Sequence, residues 1–263
     1  LLFITATFNF LFNTISLPYL IVTDHYYPLG FTSLVLQGSF NALTYSLQVF
    51  LPTIMYTRYF DLKEAPFTIA PNPAYLFMSD RHREALAHLT YGLGDTGGFV
   101  LLTGEVGTGK TTICRSVMEQ LPENTQAVFI LNPTLSSLEL LATICEGLKI
   151  RYKKTGATVN YFTDKILTKL TKNHQENINT LLVIDEAQHL QAEVLEQLRL
   201  LTNLETNTKK LLQVILIGQP ELQQLLQRRD LRQLAQRITA RYHLLPLTKA
   251  ELKQYIQHRL SVA

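Results

Sequence analysis

The segment Gly104-Glu105-Val106-Gly107-Thr108-Gly109-Lys110-Thr111, followed by Thr112, constrains this chain more than any other stretch. An apolar run at 98–103 precedes it, and a helical pattern from about Lys110 to Leu121 follows. That strand–loop–helix context is what a phosphate-binding loop requires. Gly104, Gly107 and Gly109 let the backbone take positive φ and turn its N–H groups onto phosphate oxygens. The helix N-terminus adds a fixed positive end. Lys110 is placed to reach the β- and γ-phosphates, and the Thr111 hydroxyl to complete magnesium coordination. Gly104, Glu105, Val106, Gly107, Thr108, Gly109, Lys110, Thr111 and Thr112 are therefore the expected nucleotide contacts, with ATP and Mg2+ as the ligands.

Further along, Leu181-Leu182-Val183-Ile184 ends in Asp185 and Glu186. A buried strand ending in acids is costly unless a cation or partner meets them. Asp185 is expected to hold the metal, through water, and Glu186 to polarise the water that attacks the γ-phosphate. The strand Val214-Ile215-Leu216-Ile217 ends in Gly218-Gln219. Gln219 is either a γ-phosphate sensor that also positions water, or a turn residue before Pro220. Asn132, before Pro133, is either a gate bonded to Glu186 or again a turn residue. Arg228, Arg229, Arg232, Arg237 and Arg241 form a cluster with three readings: a solvated basic face, contact with a nucleic-acid backbone, or an arginine finger. Arg237 is the finger candidate, because it ends a predicted helix just before the last strand. His189 lies closest in sequence to the acidic pair and reads as structural.

Short apolar strands alternate with helices from residue 98 onward, which predicts a parallel sheet covered on both faces. Strands are expected at 98–103, 127–131, 181–184, 211–217 and 243–247, and helices at 81–91, 110–121, 136–148, 161–173, 191–202, 221–227, 230–238 and 249–260. Right-handed crossovers then give a layered α/β domain with ligands at the C-terminal strand ends. Two cysteines in 263 residues exclude a disulfide scaffold and argue against a zinc cluster. Charge is distributed unevenly: all 24 Lys and Arg residues lie at Arg58 or later, and residues 1–54 carry only Asp24. Uncharged runs of that length are long enough to span a bilayer. They are interrupted by Asn9, Asn13, Pro18, Pro28 and Gly30, and no basic residue flanks them to set a topology. The expectation for 1–54 is an upstream extension outside the native fold, read through before a start at Met55, with a membrane anchor as the other reading.

From Met55 onward the chain resembles the ATPase domain of the general secretion pathway protein A (ExeA) family, within the AAA+ superfamily. The resemblance rests on Pro66-Phe67-Thr68-Ile69, 104–112, Asp185-Glu186-Ala187-Gln188, 198–207, 218–222 and 231–242. Of these, 198–207 is more specific than the phosphate loop. A pilus-biogenesis ATPase of the mannose-sensitive haemagglutinin type is similar too, though less so over 239–243. The resemblance implies a P-loop NTPase fold of the three-layer AAA+ type, with a linker and helix at 55–97, a nucleotide-binding core at 98–248 and the beginning of a helical lid at 249–263. It implies Mg-dependent ATP hydrolysis, with the family's nucleotide residues carried onto Lys110, Thr111, Asp185 and Glu186. Gln219 and Arg237 fall where a first sensor and an arginine finger are expected. It further implies a homo-oligomeric ring on the cytoplasmic face of the bacterial inner membrane, residues 55–263 being cytoplasmic. The expected role is envelope assembly in type II secretion with a B-type partner, helping the secretin pass the peptidoglycan. A second sensor arginine, a membrane span and a periplasmic peptidoglycan-binding region are expected beyond Ala263. The alternative functions are a DNA-processing AAA+ module, such as a transposition helper working through the 228–241 arginines, and a nucleotide-binding scaffold with negligible turnover. Nucleic acid is not the expected partner.

Overall fold

Four short segments, 99–104, 125–130, 179–184 and 213–218, carry no charged residue, and strands of that kind are stable only when both faces are covered. The computed structural model describes residues 57–68, 72–93, 98–131, 133–153, 156–203 and 210–263. The expectations placed on residues 1–54 and on Asn132 lie outside the described residues. The chain divides after Asp61, and the account below concerns Leu62 to Ala263.

The elements alternate along the chain: α1 (Asp80–Gly92), β1 (Phe99–Gly104), α2 (Lys110–Glu119), β2 (Thr125–Ile130), α3 (Ser137–Gly147), α4 (Val159–Gln175), β3 (Asn179–Ile184), α5 (Ala192–Leu201), β4 (Gln213–Gly218), α6 (Pro220–Leu226), α7 (Arg232–Ala235), β5 (Ile238–Leu244) and α8 (Lys249–Val262). The strands form one sheet in the order β2-β3-β4-β1-β5. Every pairing is parallel. All five C-terminal ends therefore lie on one edge of the sheet, which is what brings residues far apart in sequence to a common site.

Alternation along the buried strands sorts the core into two layers. Val100, Leu102, Leu181, Val183, Ile215 and Ile217 point to the face covered by α1 and α2, where they meet Ala85, Leu89, Ile113, Cys114 and Val117. Leu101, Leu182, Ile184, Val214 and Leu216 point the other way, against Leu140, Ile144, Phe162, Ile166, Leu195 and Leu198 of α3, α4 and α5. This is the three-layer α/β arrangement that the strand and helix pattern predicts. Both cysteines are free and buried, as small apolar residues would be. Burial pushes the Cys114 thiol up to about 12 and the Cys145 thiol up to about 11, so neither is a ready nucleophile.

Helix starts follow local chemistry. Ser136 with Glu139 and Thr248 with Glu251 form complete capping boxes at α3 and α8. Helix α8 is tied back to the start of the unit by Arg259, whose Nε donates to the Pro66 carbonyl. The same guanidinium lies 4.5 Å from the Tyr75 ring centre.

One end of the chain differs from the sequence expectation. The helix expected at 230–238 is a 3-10 turn (Arg229–Leu231) followed by α7, and it stops at Ala235. The strand expected at 243–247 runs instead from Ile238 to Leu244. The cause is that β5 is an edge strand. It buries Ala240 and Leu244 but exposes Thr239, Arg241 and His243, so charge interrupts the apolar run that marks the other strands. Among the described residues, no helix is long and apolar enough to cross a membrane.

Leu216, fully buried in the central strand β4, gives a direct test of this core. Leu216→Ala is expected to lower the unfolding free energy in urea by about 2–5 kcal/mol, whereas a loss under about 1 kcal/mol would contradict the packing described.

Candidate nucleotide-binding site

The site is built where β1, β3 and β4 end. Gly104 closes β1, and a Cβ there would lie 2.5 Å from the Leu244 carbonyl oxygen, so the approach of β5 requires glycine. The loop then turns through Gly107 (φ 79°) and Gly109 (φ 91°), left-handed conformations that glycine adopts without strain. Gly109 is the N-cap of α2 and carries no capping side chain, so the first N–H groups of that helix have no side-chain acceptor there. Space beside Gly107 is open, with no atom within 4 Å of a Cβ position.

Lys110, the first residue of α2, is buried and folds back over the loop. Its Nζ donates to the carbonyls of Gly104 and Glu105, both at 2.8 Å. Burial pushes its ammonium pKa down, against the attraction of Glu186, Asp185, Glu105 and Glu221. The Thr108 hydroxyl donates to the Glu105 carbonyl at 2.9 Å and braces the turn. Val106 is 76% exposed at the tip of the loop, and Thr112 is half-buried in the first turn of α2.

Thr111 and Asp185 come together from α2 and the end of β3: the Thr111 hydroxyl donates to Asp185 Oδ2 at 2.7 Å. The other carboxylate oxygen, Oδ1, accepts the Glu186 N–H at 2.9 Å. These are hard oxygen ligands of the kind magnesium takes alongside phosphate oxygens and water. Among the described residues there is no group of three or more His, Cys, Asp or Glu able to hold a metal alone. A metal at Thr111 and Asp185 would thus depend on the nucleotide for further ligands, and the donor set fits that use.

Glu186 has a left-handed backbone (φ 53°), which turns its side chain from the strand toward the end of β4. There its Oε2 accepts from Gln219 Nε2 at 3.2 Å and from Gln188 Nε2 at 2.6 Å. Gln188 also accepts the Gln219 backbone N–H at 3.1 Å through its Oε1. Gly218 makes room for this bridge, since a Cβ there would stand 2.7 Å from Gln188 Oε1. Burial pushes the Glu186 carboxyl pKa up, but the two amide donors and Lys110 outweigh it, and the net direction is down. Gln188 escaped the sequence reading as a site residue. Its signal was faint: an amide two positions after the acidic pair, on the 3-10 turn Ala187–His189.

The structure thus brings Lys110, Thr111, Asp185, Glu186 and Gln219 together, and leaves Arg237 apart. Arg237 lies in the turn before β5, where its carbonyl accepts the Phe99 N–H at 3.3 Å. Phe99 begins β1 and Gly104 ends it, so about 17 Å of strand separates Arg237 from the loop of its own chain. Within the arginine cluster, Arg228 is paired with Asp230 at 2.7 Å. Arg241 donates to the Ala235 carbonyl, while Arg229 and Arg232 are exposed. His189 is exposed beside Glu186.

The chain is 59% identical over 209 residues to General secretion pathway protein A of Aeromonas hydrophila, a match covering 80% of this chain and 38% of that protein. The fold resembles Cdc6p from Pyrobaculum aerophilum with a TM-score of 0.58 at 17% identity, over 72% of this chain and 52% of that one. It also resembles the Aeropyrum pernix ORC2 protein, solved as ADPNP-ADP complexes, with a TM-score of 0.53 at 19% identity, over 69% of this chain and 50% of that one. The chain therefore spans well under two thirds of the length of each. The AAA domain family matches residues 93–226, just over half of the chain and the whole stretch from β1 through α6. With a phosphate loop, a strand-end acidic pair and four of the five parallel strands in one match, the chain belongs to the AAA domain family of P-loop ATPases.

Proposed function

We propose that the chain hydrolyses ATP with Mg2+ and uses the cycle to drive envelope assembly in type II secretion. The observation that carries the hydrolytic part is the Lys110–Thr111–Asp185–Glu186–Gln219 constellation at one edge of one sheet. Lys110 would leave the Gly104 and Glu105 carbonyls for the β- and γ-phosphates, a charge-assisted exchange. Thr111 and Asp185 would hold the metal, which neutralises charge on the β- and γ-oxygens when bound. Glu186, kept ionised by its low pKa, would accept the proton of the attacking water. Gln219 would report the γ-phosphate to Glu186 through the hydrogen bond its amide donates to that carboxylate, and Gln188 would hold the carboxylate in place.

The secretion role is supported by the 59% identity to General secretion pathway protein A, which is spread over 80% of this chain. On that reading the protein works at the cytoplasmic face of the bacterial inner membrane, with a B-type partner and, indirectly, the secretin. Residues 98–248 form the nucleotide core, 55–97 its linker and first helix, and 249–263 the beginning of a lid. Arg237, set apart from its own loop, would serve the nucleotide of a neighbouring copy in a ring.

Lys110→Ala is expected to abolish ATP binding in an equilibrium titration. Glu186→Gln is expected to bind ATP like the parent and to turn over about 10²–10⁴-fold more slowly; equal turnover in both variants and the parent would remove the site. Gln188→Leu removes one of the donors that lower the Glu186 pKa. Its kcat should fall and the acid limb of its pH–rate profile should move to higher pH, whereas an unmoved limb would separate Gln188 from Glu186. For Arg237, turnover per chain should rise with protein concentration in the parent and stay flat in Arg237→Ala, with ATP affinity equal in both. Turnover that requires DNA and collapses with added salt would contradict the secretion role, because phosphate contacts release counterions.

A further inference from the structure

The phosphate loop is fastened on its outer side by a buried group that neither the motif nor the hydrolytic constellation includes. His82, in the first turn of α1, has its side chain 4% exposed, as does Ser79, the N-cap of that helix. The imidazole Nε2 lies 3.2 Å from the Thr108 carbonyl oxygen, and Nδ1 lies 2.6 Å from the Ser79 hydroxyl. A carbonyl only accepts, so Nε2 carries the proton and Nδ1 accepts from the Ser79 hydroxyl. Ser79 Oγ in turn accepts the His82 backbone N–H at 3.4 Å, so the helix cap and the ring orientation fix each other. Burial pushes the imidazole pKa down, against the hydrogen bond to Thr108 and the nearby Glu251 of α8, which favours the neutral ring this arrangement needs.

The geometry points to a positioning role in nucleotide binding: His82 sets the plane of the Thr108–Gly109 peptide and thereby aims the Gly109 N–H at the phosphates. The peptides are trans, and in a trans peptide the C=O and the following N–H point in opposite directions. Holding the Thr108 oxygen against α1 therefore turns the Gly109 N–H away from α1. Gly109 makes that peptide easy to rotate, because at φ 91° it has no side chain to restrain it. The ring also packs closely, since a Cβ on Gly109 would stand 3.2 Å from Nε2. A loop of glycines chosen for freedom thus needs an outside group to settle on one orientation, and the hydrogen bond from α1 supplies it. The benefit is preorganisation: the free loop already has the N–H direction that binding requires.

This inference rests on nucleotide occupying the 104–111 loop, and the test separates the two. Affinity for a fluorescent ATP analogue with Mg2+ is measured for the 263-residue chain and for His82→Gln, His82→Asn and Lys110→Ala, with thermal melts alongside. The Gln amide nitrogen extends about as far as Nε2, whereas the Asn amide reaches only as far as Nδ1. His82→Gln should bind within about 3-fold of the parent and His82→Asn about 10-fold more weakly, the loss expected for one hydrogen bond. Parent-like binding by His82→Asn, or equal losses in both, would overturn the positioning role. If His82→Asn does not fold, Ser79→Ala takes its place and should bind about 2–3-fold more weakly, since its ring loses one of two anchors; unchanged affinity there overturns the role as well. Parent-like binding by Lys110→Ala would instead remove the nucleotide from the loop altogether.

Discussion

The hydrogen bond from the Thr111 hydroxyl to Asp185 joins the two halves of the site, and most of the architecture serves to bring those atoms within 2.7 Å. Thr111 stands in the first turn of α2, after the strand β1, and Asp185 stands at the end of β3. Those strands are not neighbours, because β4 lies between them. Only a parallel sheet puts all three C-terminal ends on one edge, and it is stable only if helices cover both faces. The apolar runs at 99–103, 181–184 and 214–217 are thus a condition for the chemistry as much as for the fold. Asp185 is buried at that edge, where a carboxylate without donors would be costly. The Thr111 hydroxyl and the Glu186 N–H supply those donors in the free protein, and they leave Asp185 adjacent to where a metal would bind.

A second constraint is how little room there is for side chains around the site. Gly104 admits the Leu244 carbonyl, Gly218 admits the Gln188 amide, and Gly109 admits the His82 ring. Each glycine lets a polar group from another element reach the loop or the Glu186 carboxylate. The outcome is a set of donors and acceptors positioned before any ligand arrives, which is the arrangement that favours electrostatic stabilisation of developing charge. Helix α1 and strand β5 reach the nucleotide loop, and Gln188 reaches Glu186, through these contacts.

Much of this was legible in the sequence because the signals were local and strong. The phosphate loop has fixed spacing and an apolar strand before it, and the acidic pair closes a run of four apolar residues. The loop acquires its meaning within about ten residues of chain, and the acidic pair, weak alone, acquires its own by following Lys110 at a distance of 75 residues. The positions missed depend on contacts across the fold. Strand β5 was misplaced because an edge strand exposes Arg241 and His243 and so lacks a continuous apolar run. Gln188 is a polar residue on a 3-10 turn and His82 one in the first turn of α1, and nothing in their local sequence shows that one meets Gly218 and the other Thr108. Arg237 was legible as a residue before a strand. That it stands at the far end of that strand from its own loop follows only from the β1–β5 register.

The central claim is that one edge of one sheet holds the nucleotide and its metal. A crystal structure of this chain with a non-hydrolysable ATP analogue and Mg2+ tests it most directly. The account predicts the triphosphate over residues 104–111, with Lys110 Nζ released from the Gly104 and Glu105 carbonyls to the phosphates. Metal density should lie beside Thr111 and Asp185, with Glu186 and Gln219 facing the terminal phosphate. A nucleotide bound elsewhere, or Lys110 still closed on its own loop with the analogue in place, would contradict it.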